Sequence, residues 1–175
     1  MQIFDKSNGN SEMESILSMY KQLSYLFKRA CCLGKIPVLE HMVRRFNEAP
    51  PDFLKSLLVA DDHEALYNAI DCASDSDVTF VQYVVSLYTK IDPGLIHDAL
   101  KAKNHRIFLK ACKTENMILI GYIFLLYDEK GLRTLQLAIA HLKTYDLEHY
   151  NIMVKISDMM ISMVKDFEAE EAAKA

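Results

Sequence analysis

The chain has 175 residues, 51% of them apolar and 25% charged, with a formal charge of −4. That is enough apolar material for one continuous core and excludes wholesale disorder, while the acidic balance gives no support to general nucleic-acid binding, which rests on clustered positive charge. Gly (5) and Pro (4) are both scarce, which favours helices joined by plain turns over a sheet with many tight ones.

Taken from the start, MQIFDKSNGN lacks the basic region and apolar run of a secretory signal. SEMESILSMYKQL follows, with Ser11 and Glu14 in capping-box spacing. It predicts an N-terminal cap helix over residues 11–24. Beyond it, Phe27-x-x-Ala30, Leu66-x-x-Ala69 and Phe108-x-x-Ala111 share one helical spacing, with the small Ala where another helix must approach closely. Each precedes a longer stripe: IPVLEHMVRRF (36–46), VTFVQYVVSLY (78–88) and MILIGYIFLLY (117–127). Their shared apolar offsets, 0, 2, 3, 6, 7 and 10, fit a helix and not strand alternation.

The links between units agree too. Residues 46–66 and 88–108 run in register at an offset of 42, pairing Pro51 with Pro93, Leu58 with Leu100 and His63 with His105. Pro51 and Pro93 suit the first turn of a short helix, PDFLKSLL or PGLIHDAL. Asp62 and Asn104 fall where an N-cap belongs, just before the Ala-containing helices. A three-residue insertion within SDSD (74–77) accounts for the longer turn of the second unit. A fourth copy is carried by Leu135-x-x-Ala138 and by LEHYNIMV (147–154). After it, Met159, Met160 and Met163 cover the last apolar face, and the polar EAEEAAKA frays. The expected layout is therefore a single domain over 1–175: cap helix 11–24, repeats 25–154, and a C-terminal cap helix with tail over 155–175. The longest near-apolar run, residues 117–127, is far short of the roughly 20 residues of a bilayer span and predicts a buried helix. The four Cys, adjacent at 31 and 32 and single at 72 and 112, read as reduced, buried thiols with no CxxC metal pair.

ACCLGKIPVLEHMV (30–43) resembles the ankyrin-repeat pattern A-A-x-x-G-H-x-x-V-V-x-x-L-L, with Ala30, Cys31, Gly34, Val38, Leu39, Met42 and Val43 on matching positions. TLQLAI (134–139) resembles the start of that family's first helix without its Pro, and FVQYVV resembles its second helix. The likeness spans about residues 25–154. Only one unit keeps the turn Gly, none has the G-A-D-x-N finger, and the period is 39 to 42 against about 33 for the family. The expected fold is all-α: about four stacked helix-turn-helix units in an α-solenoid, ankyrin-like with short helices in place of β-hairpin fingers, or else another α-solenoid with three helices per repeat. Gly-poor arrays of this kind also resemble effector proteins of intracellular bacteria.

Catalytic signatures do not emerge. The six His are scattered without HExxH spacing, the Gly never cluster, and no G-x-S-x-G is present. DDHE (61–64) reads as a solvated helix start with acids favoured by the dipole. The expectation is no enzyme, no metal and no cofactor. Charge is more informative: residues 21–45 carry Lys21, Lys28, Arg29, Lys35, Arg44 and Arg45 against Glu40, whereas 46–80 hold eight acids and one Lys. Antiparallel pairing of helices brings Lys28 and Arg29 near Arg44 and Arg45. Two readings stand: a basic edge that recruits an acidic peptide, phosphate or anionic lipid, or surface salt bridges from Asp61, Asp62 and Glu64 across unit boundaries. Arg29, Asn68 and Lys110 break the apolar pattern at one repeated position, which predicts a wet inward-curving face.

The expected function is a protein-interaction module, with partner-binding residues Lys28, Arg29, Arg44, Arg45, Asn68 and Lys110 and with no nucleic-acid partner and no transmembrane segment. The rivals are a membrane-surface or anionic-ligand adaptor and an enzyme on a helical scaffold. Weak self-association through an imperfect C-terminal cap is a further reading. Lack of a signal or span points to a cytoplasmic protein, including one delivered into a host cell.

Overall fold

Apolar residues three and four apart, with few glycines between them, fold here into helices. The computed structural model describes residues 7–46, 52–73 and 77–142, together with Val154, Asp158 and Ser162. Among the described residues there are seven α-helices, one 3-10 turn (Ile70–Cys72) and no strand. The helices are α1 (Ser7–Leu33), α2 (Ile36–Phe46), α3 (Asp52–Ala69), α4 (Thr79–Ile91), α5 (Gly94–Lys113), α6 (Met117–Leu125) and α7 (Glu129–Leu142). Helix α1 packs on α3, α3 on α5 and α5 on α7, while α2, α4 and α6 each pack on the helix before them.

The core follows the repeated positions. Phe27, Leu66 and Phe108 are fully buried, and Ala30, Ala69 and Ala111 are buried beside them. Leu39, Val81 and Ile120, at one stripe position, are fully buried as well. The stripe thins at its ends, where Val38 and Met117 are exposed. Gly34 takes a left-handed φ of +64°, and a Cβ there would lie 2.9 Å from that of Cys72. Glu115, the matching residue after Ala111, takes φ 56°. Of these two turns, the one at Gly34 has a close neighbour in the way of a side chain, and it is the one that keeps glycine.

Three boundaries differ from the sequence reading. Helix α1 begins at Ser7, so Ser11 stands inside the helix and does not cap it. The expected cap helix and the first helix of the first unit are one continuous helix. Asp62 and Asn104 are not N-caps: an N-cap takes extended dihedrals, and both residues are left-handed. The insertion expected within residues 74–77, Pro51, the second helix of the fourth unit and the Met-bearing C-terminal cap fall largely outside the described residues.

The short helices are present as first limbs of α3 and α5. Helix α3 breaks at Ala60 (φ −56°, ψ 138°), followed by Asp61, Asp62 and His63 at φ 52°, 57° and 66°. Helix α5 breaks in the same way at Ala102 (φ −57°, ψ 139°), then Lys103, Asn104 and His105 at φ 45°, 54° and 62°. Left-handed backbone costs an L-residue about 1–2 kcal/mol, so two such triplets need firm support. Part of it is burial of Phe53, Leu54, Leu57 and Leu58 in one limb and Leu95, Ile96, Ala99 and Leu100 in the other. A buried Leu or Phe contributes about 1.5–3 kcal/mol. The rest is polar. Tyr88 Oη donates to the Leu58 carbonyl at 2.7 Å, and Tyr127 Oη to the Leu100 carbonyl at 3.1 Å. His63 and His105 pack their buried rings 5.7 and 5.6 Å from those tyrosine rings. His105 Nδ1 lies 3.1 Å from Tyr127 Oη, while buried His63 Nδ1 has no hydrogen-bond partner among the described residues.

Two outcomes test this arrangement. Tyr88→Phe and Tyr127→Phe each leave a buried carbonyl without its donor. Each should lower unfolding stability by about 1–3 kcal/mol in urea titration, whereas Tyr25→Phe at the surface should change it by less than about 0.5 kcal/mol. Burial, first of all, lowers the pKa of both His63 and His105 below the ordinary 6.5. Asp98 and Asp62 oppose the shift at His63 and Arg106 adds to it. At His105 the Leu100 and Thr134 backbone opposes it and Lys101 adds to it. The unfolded chain therefore takes up protons before the folded one does, so stability is full above about pH 6.5 and falls as pH drops below it. The urea midpoint should decline from pH 7 to pH 5, and decline less in His63→Asn/His105→Asn, since Asn accepts left-handed backbone. An equal decline in both proteins would exclude these imidazoles as the cause.

A candidate groove between the first and third helices

Residues four apart share a helix face, so Lys21, Tyr25 and Arg29 form a row along α1, with Lys28 and Cys32 beside it. The second limb of α3 faces them. A groove of about 370 Å³ between the two is lined by Tyr25, Lys28, Arg29, Cys32, Asp61, Glu64 and Asn68. A second hollow of about 410 Å³ is lined by Lys21, Gln22, Tyr25 and Leu26. Tyr25 belongs to both, and it and Leu26 are 59% and 52% exposed.

Ion pairs explain why the groove opens here and not one step further along. Position by position, Tyr25, Glu64 and Arg106 correspond, as do Arg29, Asn68 and Lys110. From α5, Arg106 reaches α3: its Nη2 donates to the Asp61 and Asp62 carbonyls at 3.0 and 2.7 Å and to Glu64 Oε2 at 3.1 Å. Those carbonyls are the ones that the left-handed turn releases from the helix. The guanidinium also lies 4.5 Å from the Tyr67 ring centroid. Lys110 Nζ donates to Asp71 at 2.7 Å and to the Tyr67 carbonyl at 2.9 Å, 3.9 Å above the same ring. Lys103 meets Asp62 at 2.9 Å, and that hydrogen bond chiefly holds the Asp62 carboxyl below its usual pKa. Two long cationic side chains thus fill the crevice between α3 and α5. In the crevice between α1 and α3 their counterparts are Glu64, turned toward Arg106, and the short Asn68. That crevice stays open.

The structure brings Lys28, Arg29 and Asn68 together in the groove. Lys28 is paired with Asp61, and Lys110 is committed to Asp71 and Tyr67 one unit on. The cross-unit salt bridges expected from Asp61, Asp62 and Glu64 are all formed. The Phe27 and Phe46 rings are 6.1 Å apart, so those ends of α1 and α2 adjoin. Arg44 and Arg45 nevertheless stand exposed on α2, outside the groove lining. Sequence reasoning passed over Tyr25 and Cys32. The signal for Tyr25 was its place four residues before Arg29 with no apolar counterpart in the next two units.

The cysteines divide. Cys31 and Cys112 are buried, and burial pushes both thiols up to about 12. Cys72 is half-buried, its Sγ donating to the carbonyls of Cys31 and Cys32 at 3.1 and 3.2 Å. Cys32 is exposed, contrary to the expectation of four buried thiols. Adjacent helical residues point about 100° apart, so Cys31 and Cys32 cannot both face the core. Among the described residues no three His, Cys, Asp or Glu side chains assemble as metal ligands, and no helix is long and apolar enough to cross a membrane.

Comparison with family models, with curated proteins and with solved structures finds no match. Because the thiolate is the reactive form, iodoacetamide at pH 8 should modify Cys32 first in the folded chain, with Cys31 and Cys112 modified only on unfolding. Peptide mass spectrometry reads this directly, and equal native labelling at Cys31 and Cys32 would contradict the assigned orientation.

Proposed function

We propose that the chain is a non-catalytic protein-interaction module, built as an ankyrin-like helical array with short helices in place of β-hairpin fingers. The units of that reading are α1–α2, α3–α4, α5–α6 and a fourth begun by α7. Its supports are the like burial of Ala30, Ala69 and Ala111, the packing of each odd-numbered helix on the next, and the identical breaks in α3 and α5.

The observation that carries the functional reading is the groove between α1 and α3. It is walled by two helices fixed through buried side chains, and it presents an aromatic ring, a guanidinium and an amide side by side. A surface already in shape binds a protein segment with little ordering cost. The rival adaptor reading draws less support, because Lys28, Lys103, Arg106 and Lys110 are engaged by acids of the second unit and are less available to an anionic surface.

A photo-crosslinking phenylalanine analogue placed at Tyr25 tests the reading against the same analogue at exposed Thr89 on α4. In cell extract the Tyr25 position should give discrete adducts that the Thr89 position does not. Identical adduct patterns from both would remove the groove as the binding surface.

A further inference from the structure

The charge left over in the groove indicates what kind of segment it takes, an inference that rests on the interaction reading above. Each acid lining it already has a cation: Asp61 has Lys28, and Glu64 has Arg106. Exposed Arg29 and Lys21 have no carboxylate partner among the described residues. An acidic chain therefore keeps two uncommitted cations in one row, with the exposed rings and methyls of Tyr25 and Leu26 between them.

Spacing sharpens the match. Lys21 and Arg29 are eight residues apart on α1, about 12 Å along the axis at 1.5 Å per residue. An extended peptide advances about 3.3 Å per residue and turns alternate side chains to one face. Residues i and i+4 of such a peptide are about 13 Å apart on the same side as residue i+2. Two carboxylates at i and i+4 would meet Lys21 and Arg29 while a bulky apolar side chain at i+2 lies on Tyr25. Asn68, across the groove on α3, carries both donor and acceptor for the main chain of the segment. We propose that the groove between α1 and α3, continued past Tyr25 into the adjoining hollow at Lys21, binds an extended acidic peptide segment of the pattern acid-x-apolar-x-acid, gripped by Lys21 and Arg29 with its central side chain on Tyr25.

Selection of a random-peptide phage library on the intact chain tests this without prejudging the sequence. Enriched peptides should converge on two acids flanking a large apolar residue at the stated spacing. A synthetic peptide of that pattern should bind at least about tenfold more weakly to Lys21→Glu/Arg29→Glu, and more weakly as salt rises. These residues are exposed, so the thermal midpoint of the variant should match the parent. Enrichment of neutral or basic peptides whose binding is lost in Asn68→Arg would overturn the acidic pattern and leave the groove standing. Enriched peptides indifferent to every groove substitution would overturn both. Binding to phosphatidylserine vesicles that depends on Lys21 and Arg29, with no peptide enriched, would overturn the proposal in favour of a lipid surface.

Discussion

Tyr88 and Tyr127 each hold the last turn of a short helical limb by donating to the carbonyl of Leu58 or Leu100, and each presses its ring on the histidine that ends the left-handed triplet. A helix that stops in the interior leaves carbonyls without partners. Here a hydroxyl meets one of them in a place that water does not reach, from Tyr88 on α4 and from Tyr127 just beyond the end of α6. The first unit supplies the contrast. Phe46 occupies the tyrosine position without a hydroxyl, its ring 5.1 Å from that of Phe53, and residues 21–24, which correspond to 60–63, stay helical within α1. The break is present where the hydroxyl is present.

The turn then shapes the surface. By taking Asp61 and Asp62 out of helical geometry it exposes their carbonyls to Arg106 and leaves their carboxylates free to meet Lys28 and Lys103. Backbone and side chain of the same two residues thus bind cations from both neighbouring units. Exposed ion pairs are individually weak, and their effect here is mainly geometric. They fill one crevice, leave the next open, and so set where a partner has access.

Much of this was readable in the residues. The spacing Phe27-x-x-Ala30, Leu66-x-x-Ala69 and Phe108-x-x-Ala111 marked helices that crowd one another, and all six residues are buried. The offset of 42 that pairs His63 with His105 marked two sites of one conformation, and their dihedrals agree. The conformation itself was misread, because Asp62 and Asn104 are favoured both at N-caps and in left-handed turns. Ser11 misled for a related reason: a capping box describes what a helix start can use, and the chain upstream of it was already helical. Cys32 was placed in the core by composition, although its neighbour Cys31 had already taken that direction.

The sequence by itself marked this chain as helical, marked most of the residues that form the described interior, and showed one pattern recurring at an offset of 42, because those properties follow from periodicity along the chain. Which cations are spent and which stay free was decided only by tertiary structure. Arg29 and Lys110 stand at the same repeated position, yet one faces an open groove and the other Asp71 and Tyr67. The difference depends on the length of the side chains across each crevice and on the acids that a neighbouring helix brings within reach, and neither distance is written in the order of the residues.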